Sequence, residues 1–195
     1  MERKWFIDII IAIVIGLVAT SCQTYSLKSG DLLFHVVSQG NAITDVTPGM
    51  IDHVAIVMSP DSVIEAIGKG VKTTPIDSLR QQDGYYLMAR VKGADSKLSL
   101  RNAMQYLGRP YDRLYLPDND AIYCSELVQL SFVDKHGKHL FSPIPMSFHD
   151  ATGRITDYWR QFYAKHQLEV PEGEPGTNPG ELSQRREIRI KGRLR

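Results

Sequence analysis

The sequence predicts an α+β fold, with helices packed against one antiparallel sheet, and three observations carry that expectation. Short β-branched runs follow one another from residue 30 to residue 91, separated only by turn residues. Apolar residues at helical spacing begin after residue 95. Strands first and helices afterwards, with meander connections, is the order of a layered α+β domain.

The elements follow in order. GDLLFHVV, after a Gly-Asp turn, reads as a first strand, and residues 38–49, SQGNAITDVTPG, as a loop. MIDHVAIVM is an apolar run of strand length, SPDS a turn, SVIEAI the next strand, GKG a turn and VKTTPI another strand. Residues 77–82 read as a short helix or turn before the strand YYLMARV. In SKLSLRNAMQYL the apolar positions 98, 100, 103, 104 and 107 fit a helix that Gly108-Arg109-Pro110 stops. Residues 111–120 are a polar, aromatic loop. From Cys124 to about Asp134, Leu127, Val128, Leu130 and Phe132 suit a helix buried on one face, and HGKH ends it. Residues 155–166, with Tyr158, Trp159, Phe162 and Tyr163, form a late amphipathic helix whose aromatics read as core. Residues 171–181 are Pro/Gly-rich and read as extended or loop, and EIRI in the basic tail as a last edge strand.

A chain of 195 residues is one domain by length, and 43% hydrophobic content is enough to bury a core. A formal net charge of +1 gives no basic surplus for nucleic acid. The N-terminus stands apart. MERK precedes an apolar run, residues 9–19, too short to span a bilayer and sized for a signal-peptide core. LVATSC then resembles a bacterial lipobox, although Ala19 stands where the commonest pattern has Leu. The expected organisation is a lipoprotein signal peptide at 1–21, lipidation of Cys22, a tether at 22–28, a domain at 29–170, and a Pro/Gly-rich segment with a basic tail at 171–195. The protein is then an exported lipoprotein of the bacterial cell envelope, held to the membrane by its N-terminal lipid. An uncleaved anchor and a plain secretory signal are the alternative readings.

With Cys22 lipidated, Cys124 has no partner for a disulfide, and a lone thiol in an exported protein is a candidate nucleophile. A thiol attacks an acyl carbon as thiolate, which a helix N-terminus and a nearby histidine favour. Cys124 opens the helix of AIYCSELVQLSF. His53 starts the strand HVAIV, where a rigid element aims it, and a hairpin around SPDS brings Glu65 toward it. A carboxylate within the apolar strand SVIEAI also calls for a buried partner.

Four stretches together, DHVAIV, VIEAIGKGV, GRPYD and YCSELV, resemble the permuted papain-like branch of the NlpC/P60 superfamily, close to the YiiX/YebB-like cysteine hydrolases. In that branch the histidine strand precedes the cysteine helix, as His53, Glu65 and Cys124 do here. The resemblance covers about residues 29–150 and implies a permuted papain-like fold. It implies Cys124 as nucleophile, His53 as base and Glu65 as the residue that orients it, with Tyr111 and Asp112 of GRPYD shaping the site. NPGELS resembles a C-terminal family segment without a role. The implied activity is a thiol hydrolase of the amidase or peptidase type acting on cell-wall peptide amide bonds. The alternatives are an acyl-ester hydrolase or acyltransferase on the same residues, and a ligand-binding lipoprotein without turnover. Loops 38–49 and 111–120 are expected to set specificity. No metal or cofactor is expected: there is no CxxC, HxxxH or HExxH, and His136 and His139 flank a Gly-containing turn.

Overall fold

A computed structural model describes residues 26–117 and 119–194. The expected signal peptide and Cys22 lie outside the described residues. The elements run β1 (Leu32–Val36), β2 (Ile51–Ser59), β3 (Ser62–Ile67), β4 (Gly70–Pro75), α1 (Ile76–Arg80), β5 (Tyr85–Val91), α2 (Ser96–Met104), α3 (Cys124–Ser131), β6 (Ile144–Pro145), α4 (Asp157–Lys165), β7 (Pro175–Gly176), α5 (Pro179–Ser183) and β8 (Ile188–Arg193). Six strands form one sheet in the order β4-β3-β2-β1-β5-β8, and every neighbouring pair is antiparallel. The expected α+β fold with helices against an antiparallel sheet is the observed one.

Alternation along the strands explains how the sheet is covered. Leu32 and Phe34 of β1 join Val54, Ile56 and Ile64 in the main core, beneath Leu127, Val128 and Phe132 of α3 and its flank. Leu33 points the other way, into a cluster with Val57, Val63 and Met88 that Ile76 and Leu79 of α1 close. Each such side chain contributes about 1.5–3 kcal/mol of burial, enough to fix both the sheet and the seat of α3. A third, smaller cluster of Met146, Phe148, Trp159 and Tyr163 is built on α4.

The helices begin where side chains cap them. Asp95 accepts the Leu98 N–H at 2.9 Å and starts α2. α3 is shorter than expected and stops at Ser131, because Phe132 turns extended and Asp134 takes the N–H groups of His136 and Lys138 at 2.8 and 3.0 Å. Part of the stretch read as extended or loop is helical: Asn178 accepts the Glu181 N–H at 2.7 Å and Pro179 opens α5. Asn, then Pro, then an acidic first turn is a helix start that the Pro/Gly richness masked. Residues 171–194, set apart by composition, are part of the same fold, since Leu182 lies in the main core and β8 pairs with β5 at the sheet edge.

One glycine ties the sheet to the segment that reaches the site. Gly70 has φ +95°, and a Cβ there falls 2.5 Å from the Arg109 carbonyl oxygen. Val71 donates to that oxygen at 2.8 Å, which docks residues 108–111 on β4. Gly70→Ala is expected to lower stability by about 1–3 kcal/mol, through both the positive φ and the contact. Urea denaturation of the two proteins measures it.

Candidate active site

Cys124 is the first residue of α3 and is 4% exposed. Tyr123 before it is extended, and its N–H donates to the Glu126 carboxylate at 3.3 Å, so Glu126 closes the first turn. Leu127 and Val128 bury the inner face of α3 against the sheet and fix where the sulfur sits. The segment GRPYD lies alongside. Tyr111 bridges to Ile122, and the Ile122 N–H donates to the Pro110 carbonyl at 2.9 Å.

His53 stands on β2 and Glu65 on β3. The hairpin pairs Ile56 with Ile64 and Val57 with Val63, so Glu65 falls diagonally across from His53. His53 Nε2 and Glu65 Oε2 are 2.7 Å apart, and Glu65 is 2% exposed. The same ring lies close to Cys124, whose interaction favours the charged imidazole. With Nε2 held by Glu65, Nδ1 is the nitrogen left for the sulfur. The three residues singled out in the sequence are therefore brought together, in the order sulfur, imidazole, carboxylate. Burial alone would lower the His53 pKa; the interactions with Cys124 and Glu65 outweigh it and push it up to about 10. Burial likewise works against the charged form of Glu65, and the His53 hydrogen bond overrides it and holds the carboxyl below its ordinary range.

A pocket opens at the sulfur, walled by Ile43, Val46, Tyr115, Met146, Phe148 and Trp159. Tyr111 and Tyr123 line it next to Cys124. Burial pushes the Tyr111 and Tyr115 phenols up, Tyr115 to about 12. Tyr115 has φ +50°, rare for a bulky residue, and packs edge-on to Tyr123 and Trp159. Asp112 is buried and organises this loop, accepting from Leu114 N and Leu116 N, both at 2.8 Å, and Asn119 Nδ2 at 3.0 Å. Tyr111 thus borders the cavity directly, and Asp112 acts through the loop.

Other residues here were not singled out in the sequence. Ser125, beside Cys124, and Thr47 line the cavity, and each has a buried hydroxyl oxygen without a hydrogen-bond partner among the described residues. Trp159 is buried, as its helical spacing predicts, and it is also a cavity wall. A second pair, His35 and Asp52 at 2.7 Å, sits beside the first. Asp52 is next to His53 in sequence, the one signal that pointed to it. His136 and His139 are both exposed, in and beside a turn.

The antiparallel sheet thus sets His53 beside a buried carboxylate and close to the cysteine that opens α3, with the histidine strand before the cysteine helix in the chain. The chain belongs to the family described as permuted papain-like amidase enzymes, YaeF/YiiX, C92 family, which matches residues 26–186. It is 32% identical over 124 residues to the uncharacterized protein YiiX of Escherichia coli strain K12, a match covering 57% of this chain and 60% of that one. A crystal structure titled metalloprotein yiiX from Escherichia coli O157:H7, DUF1105, superposes with a TM-score of 0.72 at 22% identity. That likeness covers 87% of this chain and 99% of the other, and it shows the fold.

The His53 pairing makes stability pH-dependent. A histidine raised from 6.5 to about 10 contributes stability that is full below pH about 6.5 and is lost as pH rises through about 10. The urea midpoint of the wild type is expected to fall between pH 7 and pH 10.5, and that of His53→Gln to fall less across the same window.

Proposed function

We propose that the protein is a cysteine amidase whose nucleophile is Cys124. The observation that carries this reading is the single imidazole of His53 shared between Glu65 and the Cys124 sulfur. The His53 imidazolium is the charge partner a thiolate needs. The Cys124 thiolate attacks the carbonyl carbon of an amide, a C–S bond forms, and the carbonyl electrons move onto oxygen. The backbone N–H groups opening α3 face the developing oxyanion. His53 gives its proton to the amine nitrogen as the C–N bond breaks, leaving a thioester. His53 then takes a proton from water, the hydroxide attacks the thioester, and the carboxylic acid departs as the thiolate and imidazolium return. Glu65 stays ionised throughout and holds the ring.

The cavity supports one refinement. Its lining is mainly apolar, from Ile43, Val46, Tyr115, Met146, Phe148 and Trp159, with Thr47, Asp52, Ser125, Ser147, Thr177 and Asn178 as the polar part, so one side of the scissile bond carries an apolar group. An acyl amide meets that requirement; the cell-wall peptide expected from export meets it through an apolar side chain. Attachment to the cell envelope through Cys22 rests on the lipobox resemblance. The similar crystal structure is called a metalloprotein in its title. Among the described residues no group of three or more His, Cys, Asp or Glu is placed to hold a metal ion, and His53 and Glu65 are bonded to each other.

Two tests bear on the proposal. Iodoacetamide is expected to alkylate Cys124 in the wild type, with no adduct at position 124 in Cys124→Ala by mass spectrometry and a rate about tenfold or more lower in His53→Ala at the same pH. A rate unchanged by His53→Ala overturns the nucleophile. Glu65→Gln is expected to lower kcat on fatty-acyl amides or on muropeptides, assayed in parallel, by about 10²–10⁴-fold. For the anchor, palmitate labelling is expected in wild-type cells and absent from Cys22→Ala.

A further inference from the structure

His35 and Asp52 form an ion pair that the chemistry above does not use. His35 lies on β1 directly opposite His53. Its Nδ1 is 2.7 Å from Asp52 Oδ1 and its Nε2 is 2.6 Å from the Asp83 carbonyl oxygen. A carbonyl accepts only, and so does an ionised carboxylate, so both ring nitrogens carry protons and the ring is an imidazolium. The Asp52 hydrogen bond raises the His35 pKa against the opposing effect of burial, in accord with that assignment. The Asp83 carbonyl reaches the ring because Gly84 follows it: a Cβ at Gly84 falls 2.2 Å from the Val36 carbonyl oxygen and 3.2 Å from His35 Nε2.

The second oxygen of Asp52 leads away from the sheet. Oδ2 accepts from Asn41 Nδ2 at 2.8 Å. The other end of the same amide, Asn41 Oδ1, accepts the N–H groups of Ile43 and Thr44 at 3.0 and 3.1 Å, and the Asn41 N–H donates to Thr44 Oγ1 at 2.8 Å. These bonds wind residues 41–46 into a turn. Trp159 Nε1 donates to the Ala42 carbonyl of that turn at 3.1 Å. Ile43, Val46 and Thr47 of the turn face the cavity at Cys124.

We infer that His35, Asp52 and Asn41 are positioning residues for substrate selection: the imidazolium fixes the Asp52 carboxylate, the carboxylate fixes the Asn41 amide, and the amide holds the 41–47 turn as the wall of the apolar cavity. The wall is then set by a charge-assisted chain rooted in the strand beside the one that carries His53, so the acyl-side pocket and the histidine share one scaffold. This rests on the reading of the cavity as the substrate site. Releasing any link lets the turn swing from Trp159 and widens the pocket, without touching the bonds of His53 to Glu65 and Cys124.

The test uses the full chain in a Trp5→Phe background, with His35→Gln and Asn41→Ala. His35→Gln removes the charge; Asn41→Ala cuts the last link at a half-exposed loop residue and serves if the buried substitution fails to fold. Two reagents probe Cys124, iodoacetamide and N-octyl iodoacetamide. The wild type is expected to favour the octyl reagent. In both variants that preference falls by about fivefold or more, while the iodoacetamide rate stays within twofold. An unchanged preference overturns the inference. So does equal slowing of both reagents, which places the pair's effect on the sulfur instead. Acrylamide quenching of Trp159 reads the turn independently of Cys124: it rises in both variants if the chain holds the wall, and unaltered quenching also overturns it. A wild-type Cys124 inert to both reagents would instead defeat the nucleophile assignment, with Trp159 still deciding the role of the turn.

Discussion

The site depends on one hydrogen bond between neighbouring strands, from His53 on β2 to Glu65 on β3, 2.7 Å long and almost without solvent on the carboxylate side. A carboxylate in an apolar sheet is costly unless a partner holds its charge, and removing one member of a buried pair costs more than the pair gains. That constraint fixes much else. The β2–β3 hairpin must keep its register, because a slip by one residue sends Glu65 to the other face. α3 must lie where its first residue meets the open edge of the ring, which is why Leu127, Val128 and Phe132 are anchored in the main core.

In the proposed mechanism, chemistry and selection are carried by different parts of the fold. His53 and Glu65 ride on central strands, and Cys124 on a helix seated on them. The cavity walls come chiefly from the 41–47 turn, the 111–117 loop, α4 and the segment after β6. These parts belong to a separate apolar cluster, so their shape can vary without moving the sulfur or the ring. Tyr115 shows what holds them: a left-handed backbone persists because the Asp112 carboxylate fixes the loop on both sides and two aromatic rings pack against the side chain.

What the sequence made legible follows from range. The strands and the SPDS hairpin are local patterns, and the hairpin alone places Glu65 near His53, twelve residues away. Cys124 stood out as a lone thiol at the start of an apolar helix, and GRPYD through resemblance. The helix at 179–183 was locally signalled by Asn178 and Pro179 but was outweighed by composition. The Trp159 wall and the His35–Asp52 pair were not legible, because each is made by contacts from distant segments: Trp159 reaches Ala42 across 117 positions, and His35 reaches the Asp83 carbonyl across 48. Nothing in an amphipathic helix says which aromatic faces a cavity instead of the core.

Two histidines face each other across β1 and β2, each with a carboxylate at 2.7 Å, yet they are not equivalent. The difference lies in the second nitrogen. That of His35 meets a backbone carbonyl, which has no proton to give and needs one to receive, so the ring stays charged and serves as a fixed cation. That of His53 meets a sulfur, which both accepts a proton and releases one, so the ring can change state during a reaction. Their like charges oppose, and the positive His53 works against the charge on His35. Asp52 and Glu65 offset that repulsion, one for each ring, and Asp52 sits within the field of both. In the proposed mechanism adjacent residues 52 and 53 thus divide the labour: the carboxylate belongs to the static pair that shapes the pocket, and the imidazole to the labile pair that moves protons.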